Sequence, residues 1–161
     1  MPVLGGNAID HGKAHAGLLA DDQTKNIISG LVKNSNIPFG SGVVRGANAG
    51  EVTAATAAST ADQFVGVAVY ELNRAYNAGE VFGAVEDMDA SLLTMGVIWV
   101  QVAAAVTAGQ TAYMGVGANV VGKWSNAAGA GDTLAVEIGG AKFLDTAAVD
   151  GLARLSIVVG G

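Results

Sequence analysis

Apolar positions along this chain fall into short runs that alternate with small or polar residues, and most runs are closed by glycine, asparagine or serine. Residues 64–70 place Val65, Val67 and Val69 on one side of an extended strand and Phe64, Gly66, Ala68 and Tyr70 on the other. Residues 97–103 set Ile98, Val100 and Val102 opposite Val97, Trp99 and Gln101. Near the end, Ala153, Leu155, Ile157 and Val159 alternate with Arg154 and Ser156. Residues 42–45 read as a further strand. Residues 111–115 and 119–124, joined through Gly115 and Gly117, predict a hairpin. Residues 134–138 and 141–144, flanking Gly139-Gly140, predict a second hairpin with a two-residue turn. Roughly eight or nine short strands with frequent turns predict an all-β fold: a small antiparallel β-sandwich or barrel, jelly-roll-like in form.

The first forty residues break this rhythm. Residues 7–20 are small and polar, interrupted by Gly12 and Gly17, and read as an extended arm. Residues 22–34 fit a short helix, capped by Asp21 or Asp22 with Ile27, Ile28, Leu31 and Val32 on one face. Gly30 and the β-branched residues weaken that helix, and an arm strand is the alternative. Pro38 ends any helix, because the residue before a proline is pushed out of the α region. The predicted organisation is an N-terminal arm over residues 1–40 and a β-domain over residues 41–161. On that division, removal of residues 1–36 leaves a folded domain.

Composition sharpens the fold class and removes several functions. The 161 residues, 15.9 kDa, suit one domain or one domain with an arm. Alanine and glycine number 30 and 24, and the 28 valines and isoleucines outnumber the 11 leucines, a balance that favours strands and turns over helices. The formal net charge is −6 with a pI near 4.6. Lys13, Lys25 and Lys33 balance Asp10, Asp21 and Asp22, so the whole excess lies beyond residue 40. Such a surface repels phosphate backbones and anionic lipid headgroups, which argues against nucleic acid and membrane as partners. No cysteine is present, so disulfides, thiolate metal sites and a cysteine nucleophile are excluded. Residues 1–6 lack the basic and apolar regions of a signal peptide. No charge occurs between Asp89 and Lys123, but Gln101, Gln110, Asn119 and several glycines interrupt that stretch, which fits buried strands better than a membrane helix.

Motifs that suggest chemistry fall short of it. Gly117-Ala118-Asn119-Val120-Val121-Gly122-Lys123 matches a phosphate-binding loop until Trp124 stands where a magnesium-holding Ser or Thr is required. His11 and His15, four apart beside Asp10, have the spacing of a shared metal only on a helix, and Gly12 opposes one. Glu86-Asp87-Met88-Asp89 lacks the alternating oxygens and closing glutamate of a calcium loop and reads as a solvated loop. The aromatics Trp99, Trp124, Tyr70, Tyr76 and Tyr113 fit either core and subunit contacts or a sugar-binding surface. Asn48-Ala49-Gly50-Glu51-Val52 recurs as Asn77-Ala78-Gly79-Glu80-Val81 and, more loosely, as Thr107-Ala108-Gly109-Gln110-Thr111. Glycine permits a positive φ in a turn, so reuse of one turn explains the recurrence.

The order of these elements resembles the structural cement, or capsid decoration, proteins of tailed bacteriophages. It is carried by Ile37-Pro38-Phe39-Gly40 and Val43-Val44-Arg45-Gly46, then Phe64-Val65-Gly66-Val67-Ala68, then Gly96-Val97-Ile98-Trp99-Val100, Gly122-Lys123-Trp124 and Ala141-Lys142-Phe143. The resemblance implies a small β-domain on the outer surface of the capsid, a homotrimer bound to the major capsid protein, with no catalysis, no cofactor and no metal. On this reading Ile37, Pro38, Phe39 and Arg45 are expected to touch the capsid, and Trp99, Gln101 and Arg154 to touch neighbouring subunits. The rival readings are a carbohydrate- or receptor-binding virion module built on the aromatics and a small hydrolase built on a pair of carboxylates.

Overall fold

A computed structural model describes residues 14–21, 24–71 and 82–159. Its strands are β1 (Asn26–Val32), β2 (Ile37–Pro38), β3 (Gly42–Arg45), β4 (Glu51–Ala54), β5 (Phe64–Ala68), β6 (Gly83–Ala84), β7 (Asp89–Gln101), β8 (Thr111–Gly115), β9 (Trp124–Ser125), β10 (Ala135–Phe143) and β11 (Leu152–Val158). The only helical pieces among the described residues are two single 3₁₀ turns. The all-β class holds, and the barrel alternative is the one realised.

The sheet closes on itself twice. Neighbours run β1-β4-β3-β5-β7, and β7 pairs back onto β1, giving a first ring of five strands. All its pairings are antiparallel except β1 with β4, where Leu31 and Val32 face Glu51 and Val52. A second ring runs β7-β11-β10-β8-β9 and closes where Val102, just past β7, bridges Trp124. Both rings therefore share β7. Its 13 residues reach about 40 Å at ~3.3 Å per residue, enough for β1 and β5 to pair with its first half and β11 with its second.

Two apolar clusters follow from the two rings. Val32, Val43, Val52, Ala68, Ala90 and Leu92 fill the first ring, and the short β2–β6 pair brings Ile37, Phe39 and Ala84 against them. Ile98, Val100, Met114, Trp124, Phe143, Leu155 and Ile157 fill the second. Val44, Phe64, Val67 and Leu93 belong to this second cluster, although they sit on strands of the first ring. Strands β3, β5 and β7 are thus buried on both faces where the rings meet.

Four sequence expectations are corrected. Residues 22–34 do not form a helix: Asn26–Val32 is β1, since Ile28, Gly30 and Val32 fit the extended register against β7 (Asp22 lies outside the described residues). The even alternation over 64–70 is broken by a bulge at Val65. Val43 faces Gly66 but Val44 faces Phe64, so Phe64 turns to the same cluster as Val67. The hairpin at Gly139-Gly140 is instead one strand, β10, which pairs with β8 on both sides of the glycines through a register shift and with β11 along its other edge from Lys142. Gly140 has φ +79°, and a Cβ on it would lie 2.5 Å from the Val158 carbonyl, so glycine permits this bend. The hairpin expected over 111–124 does form, but residues 118–122 are turn and β9 begins at Trp124.

The described part of residues 1–40 is also not a detached arm. The Gly17 and Ala20 N–H groups donate to the Trp99 and Val97 carbonyls, Trp99 N–H donates to Leu18 O, and Tyr70 N–H to Gly17 O. With β1 completing the first ring, a cut at residue 36 removes a ring strand. The boundary at residue 40 is drawn by composition, whereas strand pairing continues across it.

Candidate contact surfaces

The outward face of β7 and β11 carries the three residues expected at a subunit contact. Residues with inward side chains (Ile98, Val100, Ala153, Leu155) leave Trp99, Gln101 and Arg154 half-exposed on the other side. Arg154 sits directly across from Trp99 in the ladder, with its guanidinium carbon 6.0 Å from the indole ring centre. Asp145 holds it in place: Nε and Nη2 of Arg154 donate to the two carboxylate oxygens at 2.8 and 2.7 Å, and the Arg154 backbone N–H also donates to Oδ2. These hydrogen bonds hold the Asp145 carboxyl below its ordinary value against the opposing effect of burial, and they raise Arg154 in turn. Ala20, Leu152 and Thr146 complete a shallow groove of about 460 Å³ around this pair. Gln101 stands further along, its amide donating to Asp150 O at 3.3 Å. Asp145 escaped the sequence reading. Its signal, an acid before and a base after a turn, marks a hairpin mate as much as a surface site.

The four residues expected against the capsid do not form one surface. Ile37 and Phe39 are buried within the first cluster, and Pro38 is half-buried beside Gly83. The short β2–β6 pair that covers them joins residues far apart in sequence, so their burial is a product of tertiary pairing. Arg45 is exposed at the end of β3, away from them.

The remaining candidates separate too. The Trp124 indole is fully buried and donates to Gly40 O at 2.9 Å, with its ring edge-on to Phe64. Tyr113 donates to Glu137, which raises its hydroxyl pKa, while Tyr70 packs with Phe39, Phe82 and exposed His15. Tyr76 and His11 lie outside the described residues. The described aromatics therefore lie on separate surfaces or in the core rather than on one sugar-binding platform. Lys123 pairs with Asp150 at the end of successive turns, not at a helix N-terminus. Within the acidic cluster Asp87 pairs with Lys33 and raises its pKa, chiefly through the hydrogen bond. The recurring turn is real chemistry in two copies. In each, glycine (Gly50, Gly109) takes the positive φ, and the fourth side chain (Glu51, Gln110) accepts the N–H of the first residue (Asn48, Thr107). The copy at residues 77–81 lies outside the described residues.

The two fused rings carry a half-exposed face on β7 and β11. Comparison with known proteins supplies the family. The sequence profile described as structural cement protein (E217 gp24/Pam3 gp6) matches residues 6–158. This chain belongs to the phage structural cement protein family. The solved structure titled "The capsid of Myoviridae Phage XM1" contains a chain similar in fold, with a TM-score of 0.69 at 20% identity, covering 95% of this chain and 96% of that one. No curated protein matches the sequence. The cement protein is thus a structural component of the virion capsid, and the all-β body and its half-exposed faces are to be read as parts of a structural, capsid-associated protein.

Proposed function

We propose that this cement protein lies on the outer surface of the capsid, binds the major capsid protein and, as a homotrimer, stabilises the contacts between capsomers. The observation that carries the reading is the family match over nearly the whole chain, which includes both rings. Its physics is that of many modest contacts. Each contact buries on the order of 1,000 Å². Linking subunits raises the effective concentration of every further contact, so a trimer resists internal pressure better than its single interfaces do. The subunit contact is assigned to the face of Trp99, Gln101 and Arg154. The capsid contact is assigned to Arg45 and to residues ahead of β1.

The test is to measure the mass of the purified protein in solution and then mix it with undecorated capsids. The expected result is a particle of about three times 15.9 kDa that sediments with capsids. A monomer that stays in the supernatant overturns the proposal.

A further inference from the structure

The first ring has an open mouth. β1 is longer than its contact with β4: only Leu31 and Val32 face that neighbour, so residues 26–30 have no strand on this side among the described residues. Val32 bonds to the β7 side through Met88 and Asp87, whereas Leu31 N–H points to Gly50 O. By alternation, Ile27 and Ser29 present their backbone N–H and C=O groups to the mouth. The mouth is a groove of about 540 Å³ that draws on β1, β3, β4 and β5. Its floor is apolar: Val52 is buried, Val65 half-buried, and Ile28 is 39% exposed beside them. The Arg45 side chain reaches the rim from β3 with no hydrogen bond or ion pair among the described residues, while Lys33, Lys123 and Arg154 each hold a carboxylate. Glu51, the acid of the mouth, is engaged by the backbone and side-chain N–H groups of Asn48.

A free strand edge, an apolar floor and a lone guanidinium together suit one kind of occupant. We infer that the mouth receives an extended segment of the major capsid protein, which adds as a strand along residues 27–29, places an apolar side chain over Val52 and Val65, and sets an Asp or Glu against Arg45. A second copy of this chain suits it less. Two such edges paired symmetrically bring two Arg45 guanidinium groups together, with the acid of the mouth, Glu51, already held by Asn48. The inference rests on the proposed capsid binding and adds to it the segment type and the place.

The chain has no cysteine, so Ser29→Cys gives a single attachment point at the exposed mouth. The full-length variant carrying a benzophenone label is bound to undecorated capsids, illuminated and digested, and the cross-linked peptides are read by mass spectrometry. In parallel, Arg45→Glu and Arg45→Ala are titrated onto capsids, with Lys142→Glu on exposed β10 as a remote charge control and thermal unfolding as the check on folding.

The expected result is a cross-link to an acid-bearing segment of the capsid protein. Binding should weaken about ten- to a hundredfold for Arg45→Glu, less for Arg45→Ala, and little for Lys142→Glu. Loss of binding on attaching the label, with the unlabelled variant binding normally, equally supports the mouth. A cross-link to another copy or to the chain's own residues 1–13 overturns the inference, as does normal binding by folded Arg45→Glu; in both cases the cement role stands. Failure of the unaltered protein to bind capsids removes both.

Discussion

The first ring is lined by Val32, Val43, Val52, Ala68, Ala90 and Leu92, whereas the second encloses Trp124, Phe143, Met114, Ile98, Leu155 and Ile157. The two differ in what their outer faces meet. Along β3, β5 and β7 the outside of the first ring is the floor of the second cluster, so those strands are buried on both faces and read as Gly-Val-Val or Phe-Val-Gly-Val-Ala. The second ring keeps a wet face on β11, where Arg154 and Ser156 alternate with Ala153, Leu155 and Ile157. Strands with neighbours on both faces read as near-continuous apolar runs, and strands with one solvated face as strict alternation. The rings are coupled by β7 and by Trp124, whose indole belongs to the second cluster yet bonds to Gly40 between β2 and β3.

The largest expected effect comes from cutting that coupling. Trp124→Ala empties the seam and strands the Gly40 carbonyl, with an expected loss of about 3–5 kcal/mol in denaturant unfolding. A loss under about 1 kcal/mol would mean that the rings do not lean on each other through this residue.

Next come matched deletions inside each ring. Leu92→Ala in the first and Leu155→Ala in the second, both fully buried, are each expected to remove about 2–5 kcal/mol. Monitored by tryptophan fluorescence and by circular dichroism, each variant should unfold in one transition with a lower midpoint. Two transitions, with each substitution moving only one, would show the rings to be separate folding units despite their shared strand.

The smallest effect belongs to the wet face. Asp145 has its pKa lowered by Arg154, so the pair's stabilisation is complete above the ordinary carboxylate value of 3.8 and is lost as pH falls through the depressed folded-state value. Asp145→Asn should lower the unfolding midpoint slightly at pH 7, by the small contribution of a partly exposed pair, and flatten its decline below about pH 4 by the same amount. An unaltered acid profile would remove Asp145 as a contributor.

The sequence by itself determined the all-β class, the strands with one wet face, the turns built on Gly50 and Gly109, and the absence of a complete phosphate loop at Lys123. These are local properties: side-chain period, the φ a turn demands, and the residue types a site requires. It also carried the family, through the succession of short motifs. Tertiary structure alone decided the rest. The expected helix at 22–34 became β1 because β7 and β4 supply a place in a ring, and the hairpin at Gly139-Gly140 became one strand with a register shift because β8 pairs with it on both sides of the glycines while β11 holds its other edge. Ile37 and Phe39 moved from expected contacts to core because β6, nearly fifty residues later, covers them. The open mouth beside Arg45 exists only once distant strands are paired, whereas Asp145 meets Arg154 across a turn, only nine residues away in sequence. Period and turn chemistry act over a few residues, whereas ring closure, burial on a second face and an unpaired edge are set by contacts between segments far apart in the chain.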